Sequence, residues 1–298
     1  MQGINVELSE LIHLRSSAKT LAFGKNRFVK ADRFGGYLSS LKGRGIDFEE
    51  TRTYQIGDDP RMMDWRVTAR TGKAHTKIFK EEREQPVFLL GDFSESMFFG
   101  TKVAFKSNIA AKIAATLAWT ANLQGDRIGG IFFNENEHVE LKPRARKSGI
   151  LPILNTLCHC TNPIFPKGHL TINDALLRLR RVVKPGSLIF LISDFQQLDK
   201  AAMNHLIMLN QHAQVIAIQL YDNLEREPPA PNQYYVTNGT DVCLLNTKDS
   251  AFCKKYHEQA MQHQQFIQEL LKQCQISRIE ICTSDNWLNK LMLLGRKL

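Results

Sequence analysis

Two short segments of this chain, residues 86–91 (PVFLLG) and 187–193 (SLIFLIS), are apolar at every position between their ends. A strand with one wet face alternates apolar and polar residues. An unbroken apolar run of this length belongs in a sheet covered on both faces. Between and beyond the two runs the period changes. Ile109, Ile113 and Leu117 fall at i, i+4 and i+8 in the Ala-rich stretch 102–123, on one face of a helix. Segments 127–133, 214–220 and 277–282 read as further strands, and 148–158, 171–183, 198–212, 251–273 and 287–294 as helices. Asn134-Glu135-Asn136 reads as a turn leading to an antiparallel edge strand, Glu137–Leu141. Tyr234–Leu245 reads as a hairpin around Asn238-Gly239. Strand alternating with helix predicts an α/β fold, a mostly parallel sheet with helices on both faces.

Residues 1–85 are more polar and weakly periodic. A helix over Val6–Leu21, short strands or loops over Phe34–Thr53, and a turn at Gly57-Asp58-Asp59-Pro60 are expected there. Pro60 is placed to open a helical turn running from Met62 to Ala69. The expected division is an N-terminal extension, 1–85, packed on a main domain, 86–298.

The remaining bulk properties narrow the function classes. No run of 18 uncharged apolar residues is present, so no membrane span is expected, and Met1–Glu10 lacks the apolar core of a signal peptide. A cytoplasmic protein with reduced thiols follows, since the six cysteines have no disulfide-framework spacing. Cys158-His159-Cys160 has no second ligand pair at zinc spacing. The net charge of +9 leaves room for an acidic partner. Yet the basic runs at 142–147 and 178–181 have no interleaved aromatics, so nucleic-acid binding is not the favoured reading.

Ligands of open α/β sheets bind outside the carboxyl ends of the strands. Asp92-Phe93-Ser94-Glu95-Ser96 follows the first apolar strand, and Ser193-Asp194 ends the second. In an extended loop Asp92, Ser94 and Ser96 would point one way, and Phe93 and Glu95 the other. Carboxylates and hydroxyls facing one crevice make an oxygen-only site, suited to one Mg²⁺ or Mn²⁺ ion. The pattern Asp92-x-Ser94-x-Ser96 resembles the metal-ion-dependent adhesion site of von Willebrand factor A domains. A wider resemblance, to the DUF58 family, is carried by Gly45–Lys73 (GIDFEETRTYQIGDDPRMMDWRVTARTGK), by Phe79–Glu84 (FKEERE), by Gly125–Gly129 (GDRIG) and by Tyr221–Glu225 (YDNLE).

That resemblance implies a von Willebrand factor A-like (Rossmann-like) domain that acts as an adaptor rather than an enzyme. It further implies a MoxR-type AAA+ ATPase as partner in assembling or maturing other proteins. It makes Ser94 and Ser96 direct ligands, with Asp92 and Asp194 direct or water-mediated ones, and leaves a position for a partner's acidic side chain. A threonine from another loop completes such sites. Here Leu170 stands where it is expected and Thr171 follows one place late, where it also suits a helix cap with Asp174 three residues on.

The charged block Glu49, Arg52, Asp58, Asp59, Arg61, Asp64, Arg66 and Arg70 reads as an ion-pair network around a partly buried Trp65, or else as a docking surface. No nucleophile elbow, His-Glu-x-x-His or Walker loop is present, so no catalytic residue is assigned. Two alternatives remain: a metal-dependent phosphohydrolase, which would want more carboxylates than Asp92 and Asp194, and a basic nucleic-acid binder.

Overall fold

The computed structural model describes residues 3–21, 47–80, 85–162, 168–237 and 242–295. Along the chain run α1 (Leu8–Ala18), β1 (Asp47–Thr53), α2 (Trp65–Thr71), β2 (His75–Lys80), β3 (Pro86–Asp92), α3 (Lys106–Leu123), β4 (Arg127–Phe133), β5 (His138–Arg144), α4 (Lys147–Cys160), α5 (Ile172–Val182), β6 (Leu188–Ser193), α6 (Lys200–His212), β7 (Gln214–Tyr221), β8 (Gln233–Thr237), β9 (Val242–Asn246), α7 (Ser250–Gln273), β10 (Ser277–Cys282) and α8 (Trp287–Gly295). Two compact units result: Met1–Arg27 with Gln85–Leu298, and Phe28–Glu84.

The larger unit is built on a six-stranded sheet of order β10-β7-β6-β3-β4-β5. All neighbours are parallel except β4 and β5. The wholly apolar runs are the two central strands, β3 and β6, buried on both faces. Their side chains divide by parity. Val87, Leu89, Leu188, Phe190 and Ile192 pack with α1, α3, α4 and α8. Phe88, Leu90, Ile189 and Leu191 pack with α5, α6 and α7.

One helix lies outside the division expected from sequence. Leu11 and Ala18 of α1 are fully buried in the core over α3, and Trp119 Nε1 donates to the Leu11 carbonyl at 3.0 Å. The reason lies in α3, which is buried on nearly every side, its polar residues Ser107, Asn108, Thr116 and Thr120 included, and α1 packs against it. The described residues up to Leu21 therefore group with the sheet.

The edge strand β5 runs to Arg144, past the expected end at Leu141. The register shifts between Ile128 and Gly130, so β5 carries a bulge that accommodates Pro143. Gly129 makes room for it: a Cβ there would lie 2.6 Å from the Leu141 carbonyl oxygen. Gly129→Ala is expected to destabilise the protein by about 1–3 kcal/mol, because the obstacle is backbone. Thermal melting would detect this, and an unchanged midpoint would show that the bulge can yield.

The chain leaves β3 through α3 toward β4 on one side, and leaves β6 through α6 toward β7 on the other. Between these adjacent strands the winding reverses, which opens a crevice at their carboxyl ends. Asp92 ends β3 and Ser193 ends β6.

The smaller unit pairs β1 and β2 antiparallel. Asp59 caps the tight turn Pro60–Met62, Asp64 caps α2 through the N–H groups of Arg66 and Val67, and α2 ends at Gly72 in the left-handed region (φ 69°). Arg52 pairs with Asp58 at 2.6 Å. Trp65 is not partly buried as expected. It starts α2 at 69% exposure, with Arg61, Arg66 and Arg70 also exposed. The Asn238-Gly239 turn and most of Phe34–Thr53 lie outside the described residues, but β8 and β9 pair antiparallel as a hairpin requires.

Candidate metal and partner site

Asp92 is buried and holds the loop that follows it. Its Oδ1 accepts the Ser94 N–H at 2.9 Å, and its Oδ2 accepts the Ser193 hydroxyl at 2.5 Å. The loop is not extended through Ser96. Residues Glu95–Met97 form a 3-10 turn, so Ser96 reaches Ser94 by turning, with the two hydroxyl oxygens 3.3 Å apart. Phe93 is buried in the core, while Glu95 is exposed and its N–H donates to Glu135 Oε1 at 2.7 Å. Burial, then the neighbouring Asp194 charge, pushes the Asp92 carboxyl up to about 6, and hydrogen bonds from Ser193 and Ser94 only partly offset this.

The second strand end is shaped by Phe195, a buried non-glycine residue at φ 59°. Left-handed backbone costs an L-residue roughly 1–2 kcal/mol. It is held here by the Phe195 N–H, which donates to Ser193 Oγ at 2.9 Å, and by the ring's place in the lower core. Ser193 thus accepts from one loop and donates to Asp92 in the other. The Asp194 carboxylate accepts the Gln196 N–H at 3.1 Å on Oδ1 and the Lys106 ammonium at 2.7 Å on Oδ2.

Lys106 was not singled out from the sequence. It is the first residue of α3, its side chain is fully buried, and its ammonium also pairs with Glu225. Burial alone would lower its pKa, but the two carboxylates outweigh it and hold the lysine charged. Its partner Glu225 is pushed up by burial, against the pull of Lys106. Glu225 Oε2 accepts the Asp222 N–H at 2.8 Å. Asp222 in turn accepts from the Thr101 N–H (3.0 Å), the Thr101 hydroxyl (2.8 Å), the Leu224 N–H (3.0 Å) and the Thr283 hydroxyl. A signal for Lys106 was present: it falls at i−3 to Ile109 and i−7 to Ile113, on the stripe that packs inward. Glu225 lay within one of the motifs already noted.

Thr171 is placed differently from the other four candidates. Its hydroxyl and N–H both go to Asp174 Oδ2, at 3.0 and 2.9 Å, as a helix cap for α5. The loop before it is tied to the β4–β5 turn by Leu170 N–H to the Glu135 carbonyl at 3.0 Å. The structure therefore links Asp92, Ser94, Ser96 and Asp194 through Ser193, and commits Thr171 to the cap. Among the described residues no three His, Cys, Asp or Glu side chains form a metal-holding group. Any ion here would rest on hydroxyls as much as carboxylates. Asp92 with the two serine hydroxyls fits a hard divalent ion, since all donors are oxygen and, among the described residues, no cationic side chain pairs with Asp92. Beside the crevice opens a cleft of about 330 Å³ lined by Asp194, Gln219, Glu225, Tyr256, His263 and Gln264 among others. Cys158-His159-Cys160 lies at the end of α4, with the Cys160 thiol pushed up to about 12 by burial, then by Glu137.

An uncharacterized protein of Mycobacterium bovis, Mb1516, is 26% identical over 279 residues, covering 92% of this chain and 86% of that one. Among solved structures, BatB from Bacteroides thetaiotaomicron is 16% identical and covers 72% of this chain and 100% of that one, with a TM-score of 0.45. A von Willebrand factor type A protein from Catenulispora acidiphila is 11% identical over 75% of this chain and 43% of that one, with a TM-score of 0.35. The fold is α/β, a mostly parallel sheet between helices. Among the described residues no helix is long and apolar enough to cross a membrane. The model of the family described as protein of unknown function DUF58 matches residues 50–266, more than half of the sequence, and the chain belongs to that family.

Proposed function

We propose that this chain is a non-enzymatic protein-interaction module that takes an acidic side chain of its partner at a divalent ion held by Asp92, Ser94 and Ser96. One observation carries the reading. Four carboxylates, Asp92, Asp194, Asp222 and Glu225, stand at the strand ends; among the described residues the Lys106 ammonium pairs with Asp194 and Glu225, while Asp222 is held by Thr101, Leu224 and Thr283. Asp92 keeps only hydroxyl and N–H partners in a buried, oxygen-lined setting. A divalent cation would supply the missing charge and leave coordination positions for water or an incoming carboxylate. Family resemblance makes a MoxR-type AAA+ ATPase the partner to try first.

Titration of the purified protein with Mg²⁺ and Mn²⁺ by calorimetry tests the site. One ion is expected to bind, and Asp92→Ala is expected to weaken it by at least about tenfold, since a buried charged ligand is lost. Binding that is indifferent to Asp92→Ala would place the ion elsewhere and sink the reading.

A further inference from the structure

We propose that Lys106 is a resident counter-ion that withholds Asp194 from a divalent ion in this crevice, leaving Asp92, Ser94 and Ser96 as the ion's protein ligands. The inference rests on the metal reading above and deepens it.

Its basis is the way Asp194 is occupied. One carboxylate oxygen takes the Gln196 N–H and the other takes the Lys106 ammonium. To ligate a metal ion as well, Asp194 could offer Oδ2 only by sharing it between two cations or giving up the lysine, and Oδ1 only as one end of a carboxylate whose charge Lys106 already compensates. None of these is easy. The Lys106 side chain is fully buried, so water cannot replace a carboxylate it loses. Nor is the lysine free to swing, for it begins α3 and its second partner is built in. Glu225 is held by the Asp222 N–H, and Asp222 is tied to Thr101, Leu224 and Thr283. The ammonium therefore sits in a fixed frame. The consequence is a site short of one carboxylate, in which the ion binds weakly until a partner's acid completes it.

The test uses Mn²⁺ as probe, calorimetry for affinity, and thermal melting with and without the ion. Lys106→Met alone would bury two unpaired carboxylates and could fail to fold. The double variant Lys106→Met/Glu225→Gln removes one cation and one anion together. It keeps an oxygen for the Asp222 N–H and frees Asp194. It is expected to bind Mn²⁺ at least about tenfold more tightly than the wild type and to gain more thermal stability from the ion. Adding Asp194→Asn to the double variant is expected to remove that gain. In the otherwise wild-type protein, Asp194→Asn is expected to weaken Mn²⁺ binding less than Asp92→Ala does, because it removes a nearby charge and not a ligand.

Equal or weaker binding by the double variant overturns the proposal. So does loss of wild-type binding on Asp194→Asn, which needs no result from the double variant. Asp92→Ala separates this inference from the reading beneath it. If wild-type Mn²⁺ binding depends on Asp92 but the double variant gains nothing, only the role of Lys106 falls. If binding ignores Asp92, the crevice itself is not the metal site.

Discussion

In the absence of divalent ions, Asp92→Asn is expected to melt at a higher temperature than the wild type at about pH 8, and at a slightly lower one at about pH 4. The Asp92 carboxyl is raised from the ordinary 3.8 to about 6 by burial and by Asp194. The folded state therefore binds this proton more readily than the unfolded chain. Near and below the ordinary value both states are protonated and Asp92 costs nothing. As the pH rises between 3.8 and about 6, the unfolded chain ionises first and stability falls. Above that window the full penalty stands, roughly 2–3 kcal/mol at 1.36 kcal/mol per pKa unit. Asparagine removes the charge and keeps an oxygen for the Ser94 N–H. It gives up the bond from the Ser193 hydroxyl, worth about 1 kcal/mol. The net gain should be about 1–2 kcal/mol, or several degrees in a domain of this size. Mn²⁺ should raise the melting temperature of the wild type and leave the variant unmoved. A variant less stable than the wild type at high pH would show that Asp92 is compensated in the metal-free protein, and the case for a missing cation would go with it.

Asp222→Ala is expected to destabilise the fold strongly, by about 3 kcal/mol or more. Asp222 is fully buried and accepts from Thr101 twice, from Leu224 and from Thr283. It joins the loop after β3 to the ends of β7 and β10. Burial would raise its pKa, but the hydrogen bonds outweigh burial and hold it below the usual carboxylate range. Its stabilising contribution is thus present above the ordinary value and is lost as the pH falls through the lowered one. Alanine leaves the buried Thr283 hydroxyl without this acceptor and releases the ties to Thr101 and Leu224. A fall in melting temperature of roughly 6–12 °C is expected. A fall of less than about 2 °C would mean that the donors find other partners and that the frame around Lys106 does not depend on Asp222.

The central sheet was legible in the sequence because β3 and β6 have no polar position between their ends, which leaves one structural interpretation. The boundaries were less so. The helix expected from Lys102 begins at Lys106, since Thr101–Phe105 cross the strand ends with Thr101 bonded to Asp222. The place of α1 was hidden because its inward face is small, and what it covers is an alanine-rich helix buried on nearly every side. At the site, the Asp-x-Ser-x-Ser spacing pointed to the right loop, although a 3-10 turn rather than alternation brings the two serines together. Lys106 was passed over because lysine is an exposed residue by default. Its register with Ile109 and Ile113 outweighs that default. For Trp65 the error ran the other way, with a large aromatic taken as partly buried where the structure exposes it.

Phe195 sets two demands on one position that no single residue type meets comfortably. Its backbone geometry would favour glycine, which adopts φ 59° without strain, while the space beneath it calls for a full aromatic ring. Evolution can therefore relax neither demand without paying at the other. A glycine would leave a hole among the residues of α5 and α6, and any larger shift in those helices would turn the Asp194 carboxylate through the ring's own peptide. Drift in the lower layer of the protein is thereby coupled to the chemistry at its rim, so changes far from the crevice and without any charge of their own are expected to surface in what the crevice will bind.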